Sequence, residues 1–169
     1  VLTARDAAER GAVIATRTRA THLARAGAIW RITTEDTVSG ARNMVEARAL
    51  VNAAGPWVED VLAHGAGNGT KARIRLVQGS HIVVPKLYAH DRAYIFQNGD
   101  GRIVFAIPYR DDFTLIGTTD RDYHGDPARV TATAEEITYL CAAVGDYLAT
   151  PVKPDDVVWS YAGVRPLYD

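Results

Sequence analysis

Four places in this 169-residue chain carry side chains whose type and spacing suit chemistry. His81 lies within Gly79-Ser80-His81-Ile82-Val83-Val84-Pro85. A neutral imidazole near pH 7 can take a hydroxyl proton as a general base, and small neighbours at Gly79 and Ser80 leave room for a ligand. The same histidine, alone in an apolar strand, also reads as a packed core or interface residue. Arg165 follows Gly163 and precedes Pro166 at an expected strand end. It reads either as a surface ion-pair partner or as a fork that clamps an anion bidentately, carboxylate and phosphate serving equally. The run Asn52-Ala53-Ala54-Gly55-Pro56-Trp57 offers a glycine that lets a ligand approach backbone and a proline that pre-sets φ for a helix start. At the carboxyl end of a strand such a turn receives nucleotides; elsewhere it is an ordinary strand-to-helix loop. Gly117-Thr118-Thr119-Asp120 groups two hydroxyls and a carboxylate, which fits turn chemistry better than a site.

Other chemistries find less support. His22, His64, His90 and His124 have no Cys or second His at ligand spacing, so no metal is expected. Neither a Gly-x-Ser-x-Gly elbow nor a Cys-His arrangement points to a hydrolase.

These residues need elements to hold them. Leu2 to Arg10 reads as helix, stopped at Gly11, and Ala12 to Thr16 as a short strand. Thr18–Arg25 and Ala28–Glu35 alternate as two strands joined through Gly27, and Asn43–Arg48 follows a polar turn at Ser39-Gly40. Ala49 to Ala53 is small and apolar enough for a buried parallel strand. Trp57 to His64 is expected to be helical, and Gly65 to Thr70 to be a linker. Beyond it lie long β segments: Ile74–Pro85, broken at Gly79; Ala93–Gln97 and Arg102–Pro108 around Asn98-Gly99-Asp100-Gly101; and Phe113–Thr119. Thr133 and Glu136 have capping-box spacing for a helix over 134–148, whose Ile137, Leu140, Cys141, Val144 and Leu148 share a face. Asp156–Tyr161 closes the chain as a strand running into Gly163-Val164-Arg165-Pro166.

The expected fold class is α/β plus α+β. Residues 1–70 form part of a Rossmann-type domain, and residues 71–169 an antiparallel-sheet substrate domain with one packed helix. Net charge of −1, with dispersed Lys and Arg, gives no field to attract nucleic acid. Cys141 is the single cysteine and fits a reducing compartment. No apolar run approaches the roughly 18 residues that span a bilayer. A chain that opens at Val1 and stops just past Arg165-Pro166-Leu167 is expected to be an internal piece.

Taken together, the segments GAVIATRTRAT (Gly11–Thr21), LVNAAGPW (Leu50–Trp57), IRLVQGSHIVVP (Ile74–Pro85), RIVFAIP (Arg102–Pro108), LIGTTD (Leu115–Asp120) and VWSYAGVRPL (Val158–Leu167) carry a resemblance. The chain resembles the FAD-dependent, quinone-linked glycerol-3-phosphate dehydrogenases within the D-amino-acid-oxidase-like flavoprotein superfamily. The turn and the GxRP segment alone would mark only the superfamily; GSHIVVP, IGTTD and GVRPL together mark the glycerol-3-phosphate branch. The resemblance implies hydride transfer from C2 of sn-glycerol 3-phosphate to FAD, giving dihydroxyacetone phosphate, with electrons passing to a membrane quinone. It implies that His81 serves the C2 hydroxyl and Arg165 the phosphate. It also implies that Thr18, Arg19 and Ala20 touch the adenosine half of FAD, and that Gly55, Pro56 and Trp57 lie along the cofactor.

The family's Gly-rich fingerprint, an early phosphate-binding arginine and a later Gly-Gly-Lys region are absent from the chain. The isolated chain is therefore expected neither to hold FAD tightly nor to turn over. The family resemblance further implies a peripheral contact with the inner face of the cytoplasmic membrane, made by regions outside these residues, and a homodimer is one arrangement open to it. Two other readings stand beside this one: an amino-acid or N-methyl-amine oxidase of the same superfamily, in which Arg165 would clamp a carboxylate, and a non-catalytic β-rich binding module.

Overall fold

The structure is a computed structural model that describes residues 1–66 and 74–168. The chain divides into two units, Val1–Lys71 and Ala72–Asp169.

In the first unit, helix α1 (Leu2–Glu9) precedes an antiparallel meander of β1 (Thr18–Ala26), β2 (Ile29–Asp36) and β3 (Arg42–Ala47). Gly27, at φ +62°, makes the tight β1–β2 connection that a side chain would strain. Asp36 fixes the next turn, its Oδ1 accepting from the backbone N–H of Val38 (3.0 Å) and Ser39 (2.7 Å). Leu23 and Ile32, cross-strand partners, are the buried apolar pair of the meander.

Two expected strands do not form. Ala12–Thr16 and Ala49–Ala53 have no regular secondary structure and no strand partner, and Val13 and Val51 are 92% and 84% exposed. A parallel strand takes its hydrogen bonds from a neighbouring strand, and no strand among the described residues pairs with these segments. The helix expected over Trp57–His64 is also broken up. A 3-10 turn (Gly55–Trp57) leads to one α-helical turn, α2 (Val58–Val61), and a looser turn (Leu62–Ala66). Within the last, Gly65 adopts φ +112°, which ends the helical path, and a Cβ there would overlap the carbonyl oxygen of Leu23. Of the expected linker Gly65–Thr70, residues 67–70 lie outside the described residues.

The second unit is built on β4 (Ile74–Pro85), which runs unbroken through Gly79. Around it stand β5 (Tyr94–Gln97), β6 (Ile103–Tyr109), β7 (Phe113–Gly117), β8 (Arg121–Asp122) and β9 (Trp159–Tyr168), in the order β5-β6-β7-β4-β8 with β9 also on β4. A strand has two edges. Since β9 occupies one of them from Ile74 to Val83, β7 (against 81–85) and β8 (against 77–78) share the other. The link between β7 and β8, Thr118-Thr119-Asp120, therefore passes beside Gly79 and Ser80.

Strand β9 is longer than expected and carries Arg165 in its interior rather than at an end. Pro166 does not stop it, because among the described residues β9 pairs only with β4, and an edge strand tolerates a residue without an N–H.

Helix α3 (Ala134–Gly145) covers one face of this sheet. Its capping box is present: Thr133 Oγ1 accepts from Glu136 N (3.2 Å), and Glu136 Oε2 accepts from Thr133 N (3.0 Å). Leu140, Cys141 and Val144 pack onto Ile82, Val84, Val104, Ala106 and Ile116. Each large aliphatic side chain so buried contributes on the order of 1.5–3 kcal/mol. The helix ends at Gly145 rather than Leu148, and the chain then turns to stack Tyr147 on Phe96 (ring centroids 4.5 Å).

Candidate functional site

Residues paired across antiparallel strands point to the same face of a sheet. One row of partners crosses the second unit as Ile95, Phe105, Gly117, His81 and Tyr161. The next row holds Ile107, Leu115, Val83 and Trp159. Both rows lie opposite α3, because the alternate residues Ile82 and Val84 fill the core beneath that helix. Ile95, Phe105, Ile107, Trp159 and Tyr161 are all exposed, so the histidine is set among uncovered apolar side chains.

His81 is fixed from two sides. Its ring lies parallel to that of Tyr161, with centroids 4.9 Å apart and planes 2° from parallel. Across the β4–β7 pairing stands Gly117, where any Cβ would overlap the imidazole. Nδ1 is buried with no hydrogen-bond partner among the described residues, an arrangement that native proteins seldom keep unless a ligand or water completes it. Burial, and secondarily the positive charge of Arg165, hold its pKa below the usual 6.5. The ring is thus neutral at pH 7 and able to accept a proton.

Arg165 pairs with Val77 and projects onto the same face as His81. Its guanidinium crosses β4 above Gly79: Nη2 donates to the carbonyl oxygen of Thr119 (3.1 Å) and lies 3.9 Å from Asp120 Oδ2. A Cβ at Gly79 would meet Thr118 Oγ1 at 2.5 Å and Arg165 Nη2 at 3.2 Å. The glycine in β4 therefore marks a close approach, with no break in the strand. Gly79 and His81 are two residues apart on one strand, so guanidinium and imidazole stand roughly 7 Å apart along the sheet. Arg165 opens into a cleft of 450 Å³ lined also by Gly101, Arg102, Ile103, Phe105, Thr118 and Asp120. His81 lies outside that lining, one row along. An apolar wall, the Arg165 guanidinium with Arg102 nearby in the cleft, and a neutral imidazole can together bind an anionic, hydroxyl-bearing small molecule.

Sequence reasoning singled out His81 and Arg165, which the structure places on one sheet face, but missed what positions them. Gly117, Thr118 and Thr119 belong to a segment set aside as turn chemistry, and Asp120 in fact stands beside the arginine. Glu136 was legible only as a helix cap.

The first unit holds the other expected site residues. Thr18, Arg19 and Ala20 are exposed on β1, with Thr18 Oγ1 donating to the carbonyl oxygen of Thr16 (3.1 Å). Gly55 takes φ +55° with open space where its Cβ would lie, and Pro56 opens the 3-10 turn. Asn52 pins this turn, its Nδ2 donating to the Val58 carbonyl (2.9 Å) and its Oδ1 accepting from Ala54 N (3.2 Å).

The profile of the DAO family, the FAD dependent oxidoreductases, matches residues 1–169. The chain belongs to this family. Among curated relatives of this FAD dependent oxidoreductase, the glycerol-3-phosphate dehydrogenase of Pseudomonas aeruginosa is 49% identical over 100% of the chain and 33% of its own length. The D-erythritol 1-phosphate dehydrogenase of Brucella abortus is 44% identical over 99% of the chain and 34% of its own length. The crystal structure of the glycerol-3-phosphate dehydrogenase from Bacillus halodurans, complexed with FAD, superposes with a TM-score of 0.86 at 31% identity, covering 98% of this chain and 34% of that one. The chain thus has the FAD dependent oxidoreductase fold and spans about a third of the length of the relatives it matches.

Proposed function

We propose that the chain is the part of an FAD-dependent glycerol-3-phosphate dehydrogenase that carries the substrate base and the phosphate clamp. The observation behind this is the pairing of a neutral, partly buried imidazole with a guanidinium one step along the same sheet face. That spacing suits a hydroxyl and a phosphate carried on neighbouring carbons. His81 takes the C2 hydroxyl proton of sn-glycerol 3-phosphate. Arg165 binds the phosphate through the part of its fork not engaged by Thr119, and dihydroxyacetone phosphate results. FAD, when bound, supplies the hydride acceptor. An exposed apolar field around His81 fits a flat ring system laid against the sheet. In this reading, residues 1–70 contribute to the cofactor side, with Thr18, Arg19 and Ala20 toward the adenosine half and Gly55, Pro56 and Trp57 along the cofactor. Residues 71–169 form the substrate side. The Gly-x-Gly-x-x-Gly fingerprint that would cradle the pyrophosphate does not occur in the chain.

The similarity to a D-erythritol 1-phosphate dehydrogenase supports a second, closely related substrate, a phosphorylated four-carbon polyol. It keeps both residue roles and lengthens only the carbon chain. By family likeness we also propose a quinone as electron acceptor, a peripheral contact with the inner face of the cytoplasmic membrane and a homodimer. No helix among the described residues is long and apolar enough to cross a membrane.

Kinetics of two variants of the full-length protein test the assignment. Arg165→Ala is expected to raise KM for glycerol 3-phosphate by at least tenfold, since a charge-assisted contact is worth roughly 1.5–3 kcal/mol. His81→Ala should lower kcat with a smaller change in KM. Unchanged kinetics in both would reduce the two residues to structural roles.

A further inference from the structure

Glu136 satisfies the helix cap with one carboxylate oxygen and leaves the other for a different purpose. Oε2 accepts from Thr133 N (3.0 Å) and from Gln78 Nε2 (2.7 Å). Oε1 turns to the sheet, accepting from Ser80 Oγ (2.8 Å) and Thr119 Oγ1 (2.6 Å). The residue is 5% exposed, and an ionised carboxyl at that depth is costly unless its acceptors are filled. Here four donors converge on it. Burial works to raise its pKa, but the hydrogen bonds from Thr119, Thr133 and Ser80 outweigh that and hold it below the usual 4.5. A helix cap needs none of this on its second oxygen.

Thr119 is the link to the site. It sits where the edge of β4 passes from β7 to β8, and its hydroxyl takes over a missing ladder bond by accepting from Ser80 N (2.8 Å). With that lone pair occupied, the hydroxyl proton points to Glu136. The carbonyl oxygen of Thr119 in turn accepts from Arg165 Nη2 (3.1 Å) and from Thr118 Oγ1 (3.0 Å). The chain of bonds runs from a carboxylate under the sheet, through one threonine, to the guanidinium above it.

We propose that Glu136 is a positioning residue for anion binding: by fixing the Thr119 hydroxyl it aims the Thr119 carbonyl that holds the Arg165 fork. This rests on the reading of Arg165 as the phosphate clamp. Glu136 touches no substrate and acts only through Thr119.

Glu136→Gln in the full-length protein tests it. Gln78 Nε2 and the Thr133 N–H can only donate, so the new amide N–H₂ must face the hydroxyls of Ser80 and Thr119 and reverse the Thr119 bond. The variant is expected to raise KM for glycerol 3-phosphate by roughly tenfold with kcat within about twofold. The effect should vanish in an Arg165→Ala background, because both changes then act on one interaction. Thr119→Val should reproduce the KM increase, and Thr119→Ser should recover most of it; this pair carries the test if Glu136→Gln does not accumulate. Additive effects of Glu136→Gln and Arg165→Ala, a loss confined to kcat, or wild-type KM in both Glu136→Gln and Thr119→Val would overturn the proposal. Failure of the clamp reading shows separately, as an Arg165→Ala variant with unaltered KM, and removes the proposal with it.

Discussion

The role proposed for His81 as a base depends on what surrounds it, and only part of that surround was legible from residue order. The histidine itself, small neighbours at Gly79 and Ser80, and the arginine at 165 were all readable as chemistry. The stacking of Tyr161 and the space left by Gly117 were not, since both depend on cross-strand register rather than on sequence neighbours. The electrostatics make a further prediction. Burial first, and then the Arg165 charge, depress the His81 pKa, so the basic form persists below the ordinary histidine range and is lost only as pH falls through the lowered value. The acid limb of kcat/KM for the full-length protein should therefore lie below 6.5. Arg165→Ala removes one depressing charge, raises the His81 pKa and should move that limb to higher pH. A pH–rate profile of both proteins checks the sign: a limb that stays put or moves down would mean that the two residues are not coupled.

Strands and their pairing decide which side chains meet. The meander, the hairpin around 98–101, β4 and the α3 capping box were legible because period-2 alternation, turn residues and the Thr133–Glu136 spacing are local signals. Ala12–Thr16 and Ala49–Ala53 misled for the converse reason: apolar composition suits a buried strand but does not supply the neighbour it pairs with. The interior position of Arg165 was hidden by Pro166, which reads as a stop unless the strand is known to be an edge. Register also makes Gly117 a test at this scale. The β4–β7 pairing sets it against His81, so Gly117→Ala must displace the imidazole from Tyr161 while leaving Arg165 in place. Turnover on glycerol 3-phosphate is expected to fall by about a hundredfold, the cost of a base moved by an ångström or so, with KM within about threefold. A variant with wild-type kcat would show that the ring need not lie where Gly117 admits it.

For the molecule as a whole, composition and charge placed the chain among ordinary globular proteins, and its motifs pointed to an FAD dependent oxidoreductase, the family to which it belongs. What residue order could not supply is the remainder of the site. The chain spans about a third of the length of its relatives, and the described residues place His81 and Arg165 on one partly apolar sheet face, with the Gly-x-Gly-x-x-Gly fingerprint absent from the sequence. Identity of the substrate is therefore the claim on which the rest depends. Steady-state turnover of the full-length, flavin-loaded protein with an artificial electron acceptor measures it most directly, comparing glycerol 3-phosphate with sarcosine and glycine. The account predicts saturable oxidation of glycerol 3-phosphate to dihydroxyacetone phosphate and no turnover of the amines. Oxidation of sarcosine or glycine without glycerol 3-phosphate activity would contradict it and make Arg165 a carboxylate clamp.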